Sequence, residues 1–146
     1  MSIQVLYTAH AVSTGGRNGH SASSDGIVDV ELSIPKVMGG PGKPGTTTPE
    51  DLFATGYAAC FGSAIEFVSK QLKLHPTSLE IDHAVGVGLV DGDIANGFGL
   101  VVDIEAKVGG LSQEDAEKLV EAGHAACPYS RAIKGNVAVS VKVTVV

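Results

Sequence analysis

The sequence predicts an α+β fold built on mainly antiparallel sheet, and three observations carry that prediction. Strand-like stretches occur at residues 3–12, 26–33, 78–90, 99–108 and 136–146. Apolar positions at steps of three and four mark a helix over residues 53–72. Strands and helices fall in separate blocks instead of alternating one by one. The 146 residues suit a single domain over 1–146. A chain of that size buries roughly 70% of its unfolded surface and needs no covalent staple.

The elements follow in order. In GIVDVELS (26–33), Ile27, Val28, Val30 and Leu32 alternate with Asp29, Glu31 and Ser33, the pattern of a half-buried strand. The preceding GGRNGHSASSDG (15–26) is rich in glycine, Asn and Asp and reads as a turn or hairpin loop. MGGPGKPGTTTP (38–49) is dense in glycine and proline and reads as an irregular loop. Thr48 then serves as N-cap, Pro49 as first helical residue and Asp51 as the capping-box partner. Phe53, Tyr57, Cys60, Phe61, Ala64, Ile65, Val68 and Leu72 lie on one helix face, and Pro76 closes the segment. A mid-helix glycine costs about 1 kcal/mol relative to alanine. Gly56 and Gly62 therefore predict close approach of another helix or chain. The strands 78–90 and 99–108 flank the turn DGDIANG. Ser112 with Asp115 opens a helix of about three turns ending near His124 to Cys127. Pro128 begins one further turn, with Gly135 as its cap, before the final strand.

Composition removes several classes of function. The formal charge is -6, the lysines are scattered, and Arg17 and Arg131 are the two arginines. Nothing resembles the basic stripe of a nucleic-acid binder. MSIQVLYTAHAV lacks the charged and apolar regions of a signal peptide. Uninterrupted apolar runs are too short to span a bilayer, so no membrane role is expected. The expected location is the cytoplasm, where thiols stay reduced.

The two cysteines carry the chemical question. Cys60 sits in GYAACFGS and Cys127 in HAACPYS, 67 residues on, each preceded by Ala-Ala. Buried packing is the common fate of a free cysteine. A structural disulfide would contribute roughly 4 kcal/mol in the chain-entropy model, but a reducing compartment argues against it. His124 and Cys127 have ligand-like spacing, yet no second cluster completes a zinc site. The same two residues could serve an acyl-transfer enzyme, which leaves Cys60 idle. A redox pair uses both thiols: one becomes a sulfenic acid and the other condenses with it. That chemistry needs a cation beside the attacking sulfur. Composition and spacing do not choose between Arg17 and Arg131.

LYTAHAVSTGGRNG, SSDG, PEDLFATGYAACFGSA and HAACPYSRAIKGNVAV together resemble the organic hydroperoxide resistance (Ohr) branch of the Ohr/OsmC family. The resemblance runs in order from Leu6 to Val139, and GYAACF with CPYS is its specific part. Thr48 stands where Asn is common and Lys134 where Arg is common. Both substitutions keep the local chemistry.

The resemblance implies an OsmC-like intertwined homodimer, its sheets wrapped around central helices. It implies a cytoplasmic thiol peroxidase acting on alkyl and fatty-acid hydroperoxides in oxidative stress resistance. Cys60 would attack, Cys127 would resolve, Arg17 would stabilise the thiolate and Glu50 would hold Arg17. Dihydrolipoyl groups on lipoylated proteins would reduce the disulfide, with no metal, haem or flavin cofactor. An apolar face of Phe53, Tyr57 and Phe61 would line a pocket for the alkyl group. The competing expectation is a non-catalytic ligand-binding stress protein with inert buried thiols.

Overall fold

A computed structural model describes residues 1–146. The chain divides into two compact units, Met1–Leu52 and Phe53–Val146.

The first unit holds a three-stranded antiparallel sheet of β1 (Ala11–Thr14), β2 (His20–Ser23) and β3 (Asp29–Glu31), in the order β1-β2-β3. The sequence reading placed a loop over all of 15–26, but His20–Ser23 is a strand paired on both sides. HSAS has no apolar alternation, and its pairing comes from neighbours rather than from its own pattern. The expected strand over 3–12 forms ladder pairs only from Ala11 onward. Residues 1–10 are exposed, with Leu6 and Tyr7 among them. The segment 38–48 is irregular, as its glycines and prolines predict.

Helix α1 runs from Pro49 to Leu72. It starts where the capping box requires: Asp51 N–H donates to Thr48 Oγ1 at 3.1 Å, and Thr48 Oγ1 donates to Asp51 Oδ2 at 2.9 Å. At 24 residues, with a window of mean hydropathy 1.3, α1 is long and apolar enough to cross a membrane. This corrects the view that no segment reaches that length. The uninterrupted apolar runs are short, but Ala, Gly and Ser between them keep an 18-residue window of the helix apolar on average. Its inward face, Tyr57, Phe61, Ala64, Ile65 and Val68, is spent on a protein core.

That core fills the second unit. β4 (Ser78–Leu89) pairs antiparallel with β5 (Phe98–Gly109) over their whole length. β6 (Ala138–Val145) lies on the other edge of β5 and runs parallel to it. Three of the four strand pairs are antiparallel, so the mainly antiparallel expectation holds, with β5–β6 the exception. Parallel neighbours need a long crossover, and here it comprises α2 (Gln113–Ala126) and α3 (Pro128–Ile133). Val102, Ile104, Ala106 and Val108 alternate inward from β5 and meet the buried faces of α1 and α2. Ser112 caps α2 through the Asp115 amide at 3.1 Å. Gly135 follows α3 at φ +80°, a left-handed conformation that suits glycine.

Within this chain, Gly56 and Gly62 are not points of unusually close approach. A Cβ at either would meet Tyr129 or Ile81 at ordinary contact distances of 3.6–3.7 Å. At Gly123 of α2, a Cβ would stand 3.1 Å from the Ile65 Cα of α1, with Ile65 Cγ1 closer still. Gly123 is where the two helices need the missing side chain.

Candidate functional site

Cys60 lies on α1 three residues beyond Tyr57, and Cys127 is the single residue joining α2 to α3. The local sequence explains that joint. Pro128 disfavours helical geometry at the residue before it, and Cys127 adopts φ -65°, ψ 123°. Its N–H still closes α2 on the Gly123 carbonyl at 2.9 Å, and its carbonyl accepts from the Arg131 N–H at 3.0 Å. The residue is thus fixed from both sides.

The result is a thiol pair. Cys127 Sγ lies 3.7 Å from Cys60 Sγ, and both are free. Cys127 is fully buried and Cys60 partly exposed. A disulfide requires about 2.05 Å, so only a small shift separates the two states. No group of three or more His, Cys, Asp or Glu residues lies in an arrangement that could hold a metal ion.

Burial pushes the Cys60 thiol above its usual range, a Tyr129 backbone amide bonded to the sulfur pulls it down, and the Cys127 contact pushes it up again. Within its own unit, then, the Cys60 sulfur has one donor that favours the thiolate, set against burial and the Cys127 contact. The sequence expectation of a thiolate requires added positive charge.

A ring cluster shares the core with the pair. Tyr57 and Phe61 are 0% exposed, with centroids 6.3 Å apart. They are core, so they cannot be the open walls of an alkyl pocket, as the sequence reading had them. They face inward because they sit on the α1 stripe that meets the sheet. Phe53 stays half-buried and stacks on Tyr129, with centroids at 6.1 Å. His83, on the inward face of β4, lies 4.4 Å from Tyr57, and neither of its ring nitrogens has a partner. His124 packs on Phe61, and its Nδ1 also lacks a partner. Burial lowers the pKa of both histidines. Tyr57 Oη meets Ser130 Oγ at 2.7 Å, a buried polar pair that sequence reading missed because Tyr57 counted as apolar.

The first unit contributes a second constellation. Arg17 binds Glu50 with two parallel bonds, Nη1 to Oε2 at 2.8 Å and Nη2 to Oε1 at 2.6 Å. Arg17 sits in a 3-10 turn after Gly15 and Gly16, both at positive φ, and Glu50 in the first turn of α1. The Arg17 bond holds the Glu50 carboxyl below the usual range, and Glu50 raises the guanidinium. Beside Arg17, a recess of about 270 Å³ is lined by Ser13, Gly16, Ser21, Leu32, Pro49 and Leu52. The structure therefore forms the Arg17–Glu50 pair and the Cys60–Cys127 pair, each complete within its unit.

The family described as OsmC-like protein matches residues 40–142. An organic hydroperoxide resistance protein of Xanthomonas axonopodis pv. citri is 47% identical over 138 residues, covering 94% of each chain. The chain belongs to the Ohr/OsmC family. Its fold is the OsmC-like α+β fold. The crystal structure of an organic hydroperoxide resistance protein from Elizabethkingia anophelis superposes with TM-score 0.90 at 40% identity, covering 99% of this chain and all of that one. That of OhrB from Bacillus subtilis gives 0.85 at 38% identity, over 96% of this chain and 100% of its own.

Proposed function

We propose that this family member is a thiol-dependent peroxidase that reduces organic hydroperoxides to alcohols and serves oxidative stress resistance. The observation that carries the reading is the 3.7 Å approach of two free thiols 67 residues apart in the chain. The names of its relatives, organic hydroperoxide resistance proteins, support the substrate class.

The Cys60 thiolate attacks the distal oxygen of ROOH, the O–O bond breaks, and ROH leaves after taking a proton. Cys60 becomes the sulfenic acid. The Cys127 sulfur then attacks the Cys60 sulfur, forming Cys60–Cys127 and releasing water. A dithiol reductant, taken to be a dihydrolipoyl group on a lipoylated protein, restores both thiols and becomes a cyclic disulfide. No resident cofactor takes part.

Arg17 is the cation assigned to the Cys60 thiolate on the strength of the family resemblance, with Glu50 orienting its planar fork. Two of the guanidinium's donors are spent on Glu50, which leaves others for sulfur or peroxide. The working form is a cytoplasmic homodimer.

One observation favours the competing reading of an inert binding protein: burial, and after it the Cys127 contact, raises the Cys60 thiol. The deciding assay follows loss of cumene hydroperoxide with dihydrolipoamide as reductant, in wild type and Cys60→Ser. Turnover that vanishes in the variant supports the peroxidase. A wild type that consumes no peroxide and keeps both thiols free supports the inert reading.

A further inference from the structure

The buried Tyr57–Ser130 pair has no part in the chemistry above, yet it joins the two segments that carry the thiols. Tyr57 lies one helical turn before Cys60 on the same face of α1. Ser130 lies three residues after Cys127, in the first turn of α3. Their hydroxyls meet at 2.7 Å, with Tyr57 at 0% and Ser130 at 5% exposure. This six-residue helix is also seated by Tyr129, whose ring lies against Phe53 and Tyr57, and the hydroxyl pair adds a directional bond from α3 to α1. The same turn delivers two groups to Cys60, the Cys127 sulfur and the Tyr129 backbone amide.

We propose that Tyr57 and Ser130 are positioning residues, a hydroxyl clamp that holds the start of α3 against α1 so that Cys127 stays within reach of the oxidised Cys60. The proposal rests on the peroxidase reading for its kinetic form. Condensation of a sulfenic acid with a thiol is intramolecular, and its rate follows how narrowly the two sulfurs are confined. Without the clamp α3 samples more orientations. The sulfenic acid then lives longer and is open to a second peroxide, which carries it to the sulfinic acid.

The test uses the full-length reduced protein, one equivalent of cumene hydroperoxide and rapid acid quenching, with the disulfide and the sulfenic acid counted by mass. Tyr57→Phe and Ser130→Ala each remove one hydroxyl and keep the volume nearly constant. Disulfide formation is expected to slow about tenfold in each, the scale of one buried hydrogen bond left unpaired, and more than peroxide consumption does. The double variant should be no slower than either single one, and Ser130→Thr should restore most of the rate. Excess peroxide should yield more sulfinic acid in both single variants. Disulfide rates within twofold of wild type, or single effects that multiply in the double variant, would overturn the clamp.

Should wild type consume no peroxide, the peroxidase reading fails and the clamp is judged by equilibrium alone. In a dithiothreitol redox buffer, a tenfold loss of disulfide stability in each variant raises the potential by about 30 mV. An unchanged potential would overturn it.

Discussion

Replacing Gly123 with alanine sets two effects of opposite sign against each other. Alanine in a helix interior gains about 1 kcal/mol over glycine. At this position its methyl would lie 3.1 Å from the Ile65 Cα and 3.2 Å from the Ile65 N. Those are backbone atoms in the middle of α1, so no rotamer change relieves them, and α2 as a whole must move out by a few tenths of an ångström. Inserting a methyl into a packed core costs roughly 1–3 kcal/mol. The net expectation is a loss of about 1 kcal/mol, which lowers the urea midpoint by roughly half a molar at a typical slope. The displacement also reaches the thiols, because the Gly123 carbonyl accepts the Cys127 N–H at 2.9 Å. Urea melts of the reduced protein and quenched oxidation of the thiols read the two consequences. A variant as stable as wild type, or more stable, would show that the α1–α2 contact has slack and that the argument from distance is wrong.

Three further outcomes follow from the site. Cys127→Ser should leave the first peroxide equivalent consumed but no disulfide, with Cys60 ending as sulfinic acid by mass; an intact Cys60 thiol after excess peroxide would contradict the assignment. Burial lowers the pKa of His83, so the unfolded chain binds its proton first as pH falls below about 6.5. Stability is thus fully present above that value and lost as pH drops toward the folded pKa; His83→Leu should flatten thermal melts between pH 5 and 7, and an unchanged slope would count against it. Glu50 is depressed by Arg17, so its contribution is present above its usual pKa and disappears as pH falls through the folded value. The stability difference between wild type and Glu50→Gln should be about 1 kcal/mol or less, because Arg17 is 37% exposed. It should stay constant above about pH 5 and shrink below; a difference independent of pH would refute the pair's role.

What the residues revealed in advance was mostly local. Thr48–Asp51 and Ser112–Asp115 announce helix starts because a capping box satisfies its own bonds within four residues. β4 and β5 were visible because long alternating strands carry their facing in their pattern. β2 was hidden, since HSAS depends on Ala11–Thr14 and Asp29–Glu31 for its pairing. The parallel register of β6 was hidden for the same reason, as alternation says nothing of strand direction. At the site, both cysteines stood out by their rarity, but their 3.7 Å approach spans 67 residues and no spacing rule reaches it. Arg17 and Glu50 came from family resemblance, and the bidentate bond is what the structure adds. Tyr57–Ser130 and Gly123–Ile65 escaped because each is a contact between helices, where one partner's meaning lies in the other.

The parallel course of β6 has a consequence for how the thiols come together during folding. Segment 110–137 must carry the chain from one end of β5 back to the other, and both ends of that journey are pinned by ladder bonds. Cys127 travels on it. Such distant pairings form slowly, after local helices and the β4–β5 hairpin. Cys127 reaches Cys60 only when that segment has folded back over α1, so in a folding chain the two sulfurs are expected to meet after α1 and the β4–β5 hairpin have formed, and oxidant met earlier finds two separate thiols.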